Sequence, residues 1–240
     1  MYILGVSCFF HDSAAVLIND GNILGAVQEE RFTRKKNDNS FPSNCIKFLL
    51  KDNNIKLNEI DAIVYYEKPF VKFERLIETY IATAPRGIKS FIKALPLWVR
   101  DKIFVKNNLY KFLKEIDSKF INIEKIKFSN HHLSHAASTY FTSPFNQSLI
   151  LTMDAVGEWT TTSVAIGENH NIKMLYQQQF PHSIGMLYSS FTYYCGFEVN
   201  EGEYKLMGLA PYGKPVYKNL IKKNLFKLND DGSIFLNMKY

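Results

Sequence analysis

One order of elements occurs twice in this 240-residue chain, and an internal repeat constrains a fold more than any single motif does. Residues 2–8 alternate as a strand does, 9–13 break the alternation, 14–18 read as a second strand, 19–22 (Asn-Asp-Gly-Asn) as a hairpin turn and 23–28 as a third strand. A charged stretch, 29–38, leads to a helix opened by Ser40-Phe41-Pro42, with Ile46, Leu49 and Leu50 on its buried face, and then to a fourth strand at 60–66. Later the pattern returns: strand 148–153, polar loop 154–158, strand 160–166, turn 167–171, strand 172–180, then a helical stretch over 183–195. A unit of strand, polar loop, strand, turn, strand and helix that recurs in the same order implies two related α/β halves.

Between the halves, residues 67–119 read as a wholly helical insert, with Phe70, Phe73, Ile77, Tyr80 and Ile81 at helical spacing and breaks at Pro85 and Pro96. The chain's net charge of +6 is concentrated here, because the insert holds 12 Lys or Arg against 6 Asp or Glu while the remainder balances at 17 against 17. A solvated basic face over an apolar stripe explains that pattern, and so does a docking surface for an anionic or partner molecule. With 46% hydrophobic and 22% charged residues the chain can bury a substantial core. Cys8, Cys45 and Cys195 are scattered, with no paired spacing, and read as reduced thiols. No apolar run is long enough to span a bilayer and the N-terminus lacks a signal-peptide pattern, so the expectation is a cytoplasmic protein without membrane contact.

Three of the six histidines fall within Asn130-His131-His132-Leu133-Ser134-His135. On a helix His131 and His135 project from one face a turn apart, as two imidazoles sharing a metal must. Helix capping or backbone bonding is the plainer reading of the same residues. Two ligands do not hold a catalytic metal, so a further carboxylate or histidine must come from elsewhere. Near the end, residues 202–213 mix charge and glycine in a way a packing helix does not need. Lys205, among apolar neighbours there, is a candidate partner for a phosphate or carboxylate, or a snorkelling helix-edge lysine. A basic helix over 217–226 and a turn at Asp230-Asp231-Gly232 precede a strand at 233–238, inside which the chain is expected to stop.

A duplicated three-strand meander followed by helices and further strands resembles the actin-like, Hsp70-like and sugar-kinase-like (ribonuclease H-like) plan, β-β-β-α-β-α twice, here with a helical insert and an incomplete second repeat. In that plan two hairpin loops face each other across a cleft and hold a nucleotide's phosphates, which makes 9–13 and 154–161 the candidate loops. Gly157 would let backbone approach an anion, Thr160 and Thr161 offer hydroxyls, and Asp154 or Glu158 can hold a metal or a metal-bound water. Each loop taken alone is also an ordinary hairpin corner.

Five blocks in order carry a closer resemblance: GVSCFFHDSAAVL from Gly5, EERFTRKKNDNSFP from Glu29, HHLSHAAS from His131, DAVGEWTTTS from Asp154 and GEYKLMGLAPYG from Gly202. The chain resembles the N-terminal Kae1-like domain of the NodU/CmcH-type O-carbamoyltransferases over essentially its whole length. The resemblance implies residues 1–147 as a first actin-like subdomain, 148–240 as part of a second, and a YrdC-like domain, or a separate chain, lying beyond. It implies a transferase that moves a carbamoyl group from carbamoyl-adenylate, made from carbamoyl phosphate and ATP, to the hydroxyl of a small metabolite or sugar. His131 and His135 match the family's metal pair, with iron implied ahead of zinc or magnesium. His11, beside Asp12, matches a first-loop histidine able to deprotonate the acceptor, Lys36 matches a lysine near the transfer site, and Lys205 that of the last block. Asn37 stands where the family usually has His, and Ala155 where it usually has Gly. The alternatives are a non-catalytic metal- and nucleotide-binding module and, disfavoured by the last block, tRNA threonylcarbamoylation of the Kae1 type.

Overall fold

A computed structural model describes residues 1–98 and 104–239, apart from the side chains of 94, 97 and 98. It comprises two compact units, residues 1–131 and 132–240. The division falls within the histidine helix, leaving its first residue, His131, with the first unit and the rest with the second, whereas the repeat of strand order, which sets the expected limit at 147/148, begins at Gln147.

In the first unit β1 (Tyr2–Ser7), β2 (Ala14–Asn19) and β3 (Asn22–Gln28) form the expected meander. β4 (Ala62–Tyr65) and β5 (Ile126–Phe128) then join β1 in parallel, giving the order β3-β2-β1-β4-β5. This mixed sheet is antiparallel on one side of β1 and parallel on the other. Alternation along the strands sends Leu4, Val6, Ala15, Leu17, Ile63, Tyr65 and Ile126 into one core. Two amphipathic helices are part of that core: α2 (Ser43–Asp52) through Cys45, Ile46, Leu49 and Leu50, and α5 (Val105–Ile116) through Val105, Leu109 and Leu113. Glu29 is 2% exposed because its carboxylate accepts from the backbone N–H groups of Asn44 and Cys45 at 3.1 and 2.9 Å, satisfying orphan donors in the first turn of α2. The short α1 (Glu30–Thr33) fills part of the charged stretch.

The insert is helical in pieces, α3 (Pro69–Thr83), α4 (Ile88–Trp98) and α5. Pro85 falls in the break between the first two, but Pro96 lies inside α4, two residues before Trp98, so the expected break there is absent among the described residues. Residues 99–103 of the predicted helical run lie outside the described residues. The apolar stripe is not uniformly covered: Phe70 and Ile81 are 62% and 71% exposed, while Arg75 between them is buried.

In the second unit α6 (His131–Tyr140), all but its first residue, precedes β6 (Gln147–Met153), β7 (Thr160–Glu168) and β8 (Asn171–Gln179), an antiparallel sheet in the order β6-β7-β8. It repeats the first meander, and Ala136 and Tyr140 of α6 pack with Ile150 and Ala165 beneath it. Gly167 is required at that contact, since a Cβ there would lie 2.6 Å from the Tyr140 ring. α7 (Ile184–Tyr194) follows, capped by the Ser183 hydroxyl, which accepts from Met186 N–H at 3.0 Å. α8 (Glu203–Leu209), α9 (Lys218–Asn224) and a hairpin of β9 (Phe226–Leu228) and β10 (Ile234–Leu236) complete the described chain. β10 ends at Leu236 and a turn follows, so the predicted strand over 233–238 is shorter than expected and the chain does not stop inside it. Among the described residues no helix is long and apolar enough to cross a membrane.

Candidate metal centre

The histidine stretch folds as a single helix, α6, with His131 as its first residue. That puts His131 and His135 one turn apart on one face, as the spacing predicts. Asp154 stands just past β6, and its carboxylate Oδ1 accepts from the N–H of Ala155 at 2.7 Å. One ligand atom each from His131, His135 and Asp154 lies within 4.8 Å of the others. Two imidazoles and one carboxylate form a donor set suited to a divalent iron or zinc ion. Asp154 is a third candidate donor beside the histidine pair.

The backbone around Asp154 is held from two sides. Asp154 N–H donates to the Thr161 carbonyl at 2.9 Å, closing the hairpin between β6 and β7. The Ser183 hydroxyl donates to the carbonyl of Ala155 at 2.6 Å. Gly185 packs so closely that a Cβ would stand 2.5 Å from the Asp154 carbonyl oxygen. Beside them a cavity of about 470 Å³ is lined by Asp154, Ala155, Gly185, Ser189, Asn200 and Glu203 among others. Burial pushes the Glu203 carboxyl up, but hydrogen bonds from the Ser189 hydroxyl and from backbone N–H groups outweigh it and hold the group below the ordinary carboxylate range.

His132, between the two candidate ligands, has a different environment. It is 4% exposed, and its Nδ1 lies 2.8 Å from the Ser163 hydroxyl on β7. In the first unit, β4 ends at Tyr65, and Tyr66 and Glu67 follow directly. Glu67 is fully buried, bonded to the Lys72 ammonium at 2.9 and 3.1 Å, with one carboxylate oxygen 3.5 Å from His131 Nδ1. The Tyr66 ring meets the His131 imidazole edge-on at 5.7 Å. Burial, reinforced by the Glu67 charge, pushes the Tyr66 phenol up, so it stays neutral.

In the first loop, His11 Nδ1 is 2.8 Å from an Asp12 carboxylate oxygen, and both side chains are more than two-fifths exposed. Phe9 and Asp12 adopt positive φ, 69° and 47°, and the loop is pinned where Phe9 N–H donates to Asn39 and Ser13 N–H to Asp38. Asp38 is held below the ordinary carboxylate range by hydrogen bonds from Ser40 N–H and the Thr33 hydroxyl. Lys36 lies in the exposed turn just before this anchor.

The residues of the second unit that the sequence marked as a candidate phosphate loop divide. Thr160 is partly exposed and its hydroxyl donates to Gln177. Thr161 is fully buried, its hydroxyl directed to the carbonyls of His182 and Gln178 at 2.6 and 3.2 Å. Gly157 is buried, has no positive φ, and donates its N–H to the Thr160 carbonyl at 3.0 Å. Glu158 is partly exposed in the same loop, and Lys205 is exposed on α8 with its ammonium 5.8 Å from the Tyr204 ring. Sequence reasoning passed over Glu67 and Gly185. A carboxylate placed at the C-terminal end of a parallel strand was the available signal for the first; Gly185 gave none, since helices contain glycines for many reasons.

The model of the family described as Carbamoyltransferase N-terminus matches residues 2–240. The protein sll1178 of Synechocystis sp. is 54% identical over 240 residues, covering 100% of this chain and 39% of that protein. Nodulation protein NolNO of Sinorhizobium fredii is 35% identical over 228 residues, covering 93% and 31% respectively. MJ1058 of Methanocaldococcus jannaschii is 32% identical, covering 95% and 45%. The chain therefore spans less than half the length of each of these relatives.

Proposed function

The chain belongs to the carbamoyltransferase N-terminal family, and on that premise we propose that it is the acceptor-side part of an O-carbamoyltransferase. The reaction is transfer of a carbamoyl group from carbamoyl-adenylate, formed from carbamoyl phosphate and ATP, to a hydroxyl of a small metabolite or sugar. The observation that carries this reading is the convergence of His131, His135 and Asp154 within 4.8 Å in a chain of this family.

These three side chains would hold a divalent metal. Bound there, a metal supplies Lewis acidity toward a carbamoyl or phosphate oxygen. The remaining chemistry belongs to the chain. A neutral alcohol is a poor nucleophile toward a carbamoyl carbon, so a base must take its proton, and His11 is accessible for that role. Asp12, 2.8 Å from His11 Nδ1, fixes the ring so that Nε2 is the free basic atom and stabilises the imidazolium once the proton has moved. Lys36, Lys205 and the Thr160 hydroxyl are the groups proposed to meet donor phosphate oxygens, with Asp154, Gly157, Glu158 and Thr161 shaping the loop that presents them.

The test supplies the intact protein with carbamoyl phosphate, ATP and a pool of hydroxylated acceptors and looks for a carbamate ester by mass spectrometry. Ester formation that His11→Ala abolishes supports the proposal. Binding of metal and nucleotide without any ester supports instead a non-catalytic module.

A further inference from the structure

Glu67 takes no part in the scheme above, yet it is a buried carboxylate lying against His131. Removing a carboxylate from water is expensive unless its charge is met. Lys72 meets it, bonded to both oxygens at 2.9 and 3.1 Å. A structural ion pair needs nothing more, but here the carboxylate has a second neighbour. Its Oε2 lies 3.5 Å from His131 Nδ1, on a histidine whose side chain is itself only 12% exposed. Tyr66, the preceding residue, sets its ring edge-on against the same imidazole at 5.7 Å. Lys72 also lies 5.2 Å from the centre of the Phe10 ring, which ties the pair to the loop bearing His11.

We propose that Glu67 is the positioning residue of His131: it faces Nδ1, fixes the tautomer in which Nδ1 carries the proton, and so leaves Nε2 as the atom offered to a divalent metal. The inference rests on the reading of His131 as a ligand. Its physical basis is general: a ligating histidine is oriented, and made a better donor, by a carboxylate on its other ring nitrogen. The Tyr66 ring packs edge-on against the imidazole, and Lys72 meets the Glu67 carboxylate on both oxygens. Glu67 touches no reacting atom and is not a catalytic residue.

The test is cobalt(II) binding to the metal-stripped protein, followed by visible d–d absorption, so that it reads coordination without turnover. Glu67→Gln should weaken cobalt binding by about 10- to 100-fold, keep one site and move the absorption bands. Because Glu67→Gln leaves Lys72 short of its counter-charge and can impair folding, the double variant Glu67→Gln with Lys72→Met is measured alongside, since an apolar residue removes the stranded ammonium. If the pair is only structural, the double variant binds cobalt as the wild type does, with unchanged bands, and the proposal is overturned. If Glu67 positions His131, the double variant stays as weak as the single one, and Glu67→Asp recovers part of the affinity. A wild type that binds no cobalt, or that binds it equally well after His131→Ala and His135→Ala, overturns the metal reading itself and this inference with it. Weakening by the histidine variants but not by Glu67→Gln overturns this inference alone.

Discussion

Gly185 and Asp154 touch through their backbones, so closely that a Cβ on Gly185 would lie 2.5 Å from the Asp154 carbonyl oxygen and 2.7 Å from the Ala155 nitrogen. In an ordinary helix, replacing glycine by alanine is worth up to about 1 kcal/mol in favour of alanine. Here backbone meets the new methyl group, and backbone does not swing aside. Overpacking of this kind costs about 1–3 kcal/mol, so Gly185→Ala is expected to destabilise the protein in urea unfolding. Because the displaced segment bears Asp154, the same variant is expected to lose metal affinity.

His132 and Ser163 make a second separable pair. His132→Ala removes the partner 2.8 Å from the Ser163 hydroxyl, in a place where His132 is 4% and Ser163 1% exposed. Leaving a buried polar group unsatisfied costs about 1–3 kcal/mol. The expected outcome is that loss of stability with metal stoichiometry unchanged, the opposite of what His135→Ala should give.

Asp38 gives the first loop a dependence on acid. Its carboxyl is held below its ordinary value of 3.8 by the bonds from Ser40 and Thr33. A group whose folded value is depressed contributes stability above its unfolded value, and loses it as pH falls through the folded one. Asp38→Asn should therefore lower the melting midpoint at neutral pH, and the gap to wild type should close below about pH 4, near the unfolded carboxylate value. Since Ser13 N–H donates to the Asp38 carbonyl, amide exchange in residues 9–13 should speed up in the variant.

What was legible in the sequence was local. Alternation and turn residues place the strands of both meanders to within two residues, and the spacing of His131 and His135 gives one helical face because the rule operates within a single turn. In sequence Asp154 reads as a phosphate-loop residue that, like Glu158, could hold a metal or its water, and the missing ligand is expected beyond Tyr240, so its place beside His131 and His135 was not foreseen. Glu67 and His131 are brought together by the pairing of β4 with β5, and periodicity within a segment does not report on which distant segment lies beside it. The same limit explains Thr161 and Gly157: polar and glycine residues in a hairpin loop look available in sequence, but closing the hairpin directs their hydroxyl and N–H groups inward. The stripe on α3 shows the reverse, since helical spacing of apolar residues does not say whether anything covers them.

His131, His135 and Asp154 are proposed to hold one divalent metal. Anaerobic purification followed by elemental analysis of wild type, His135→Ala and Asp154→Ala tests it most directly. The expected result is about one equivalent of a divalent transition metal in the wild type, as for one such donor set, and loss of most of it in both variants while each remains folded. Equal metal content in all three proteins would contradict it.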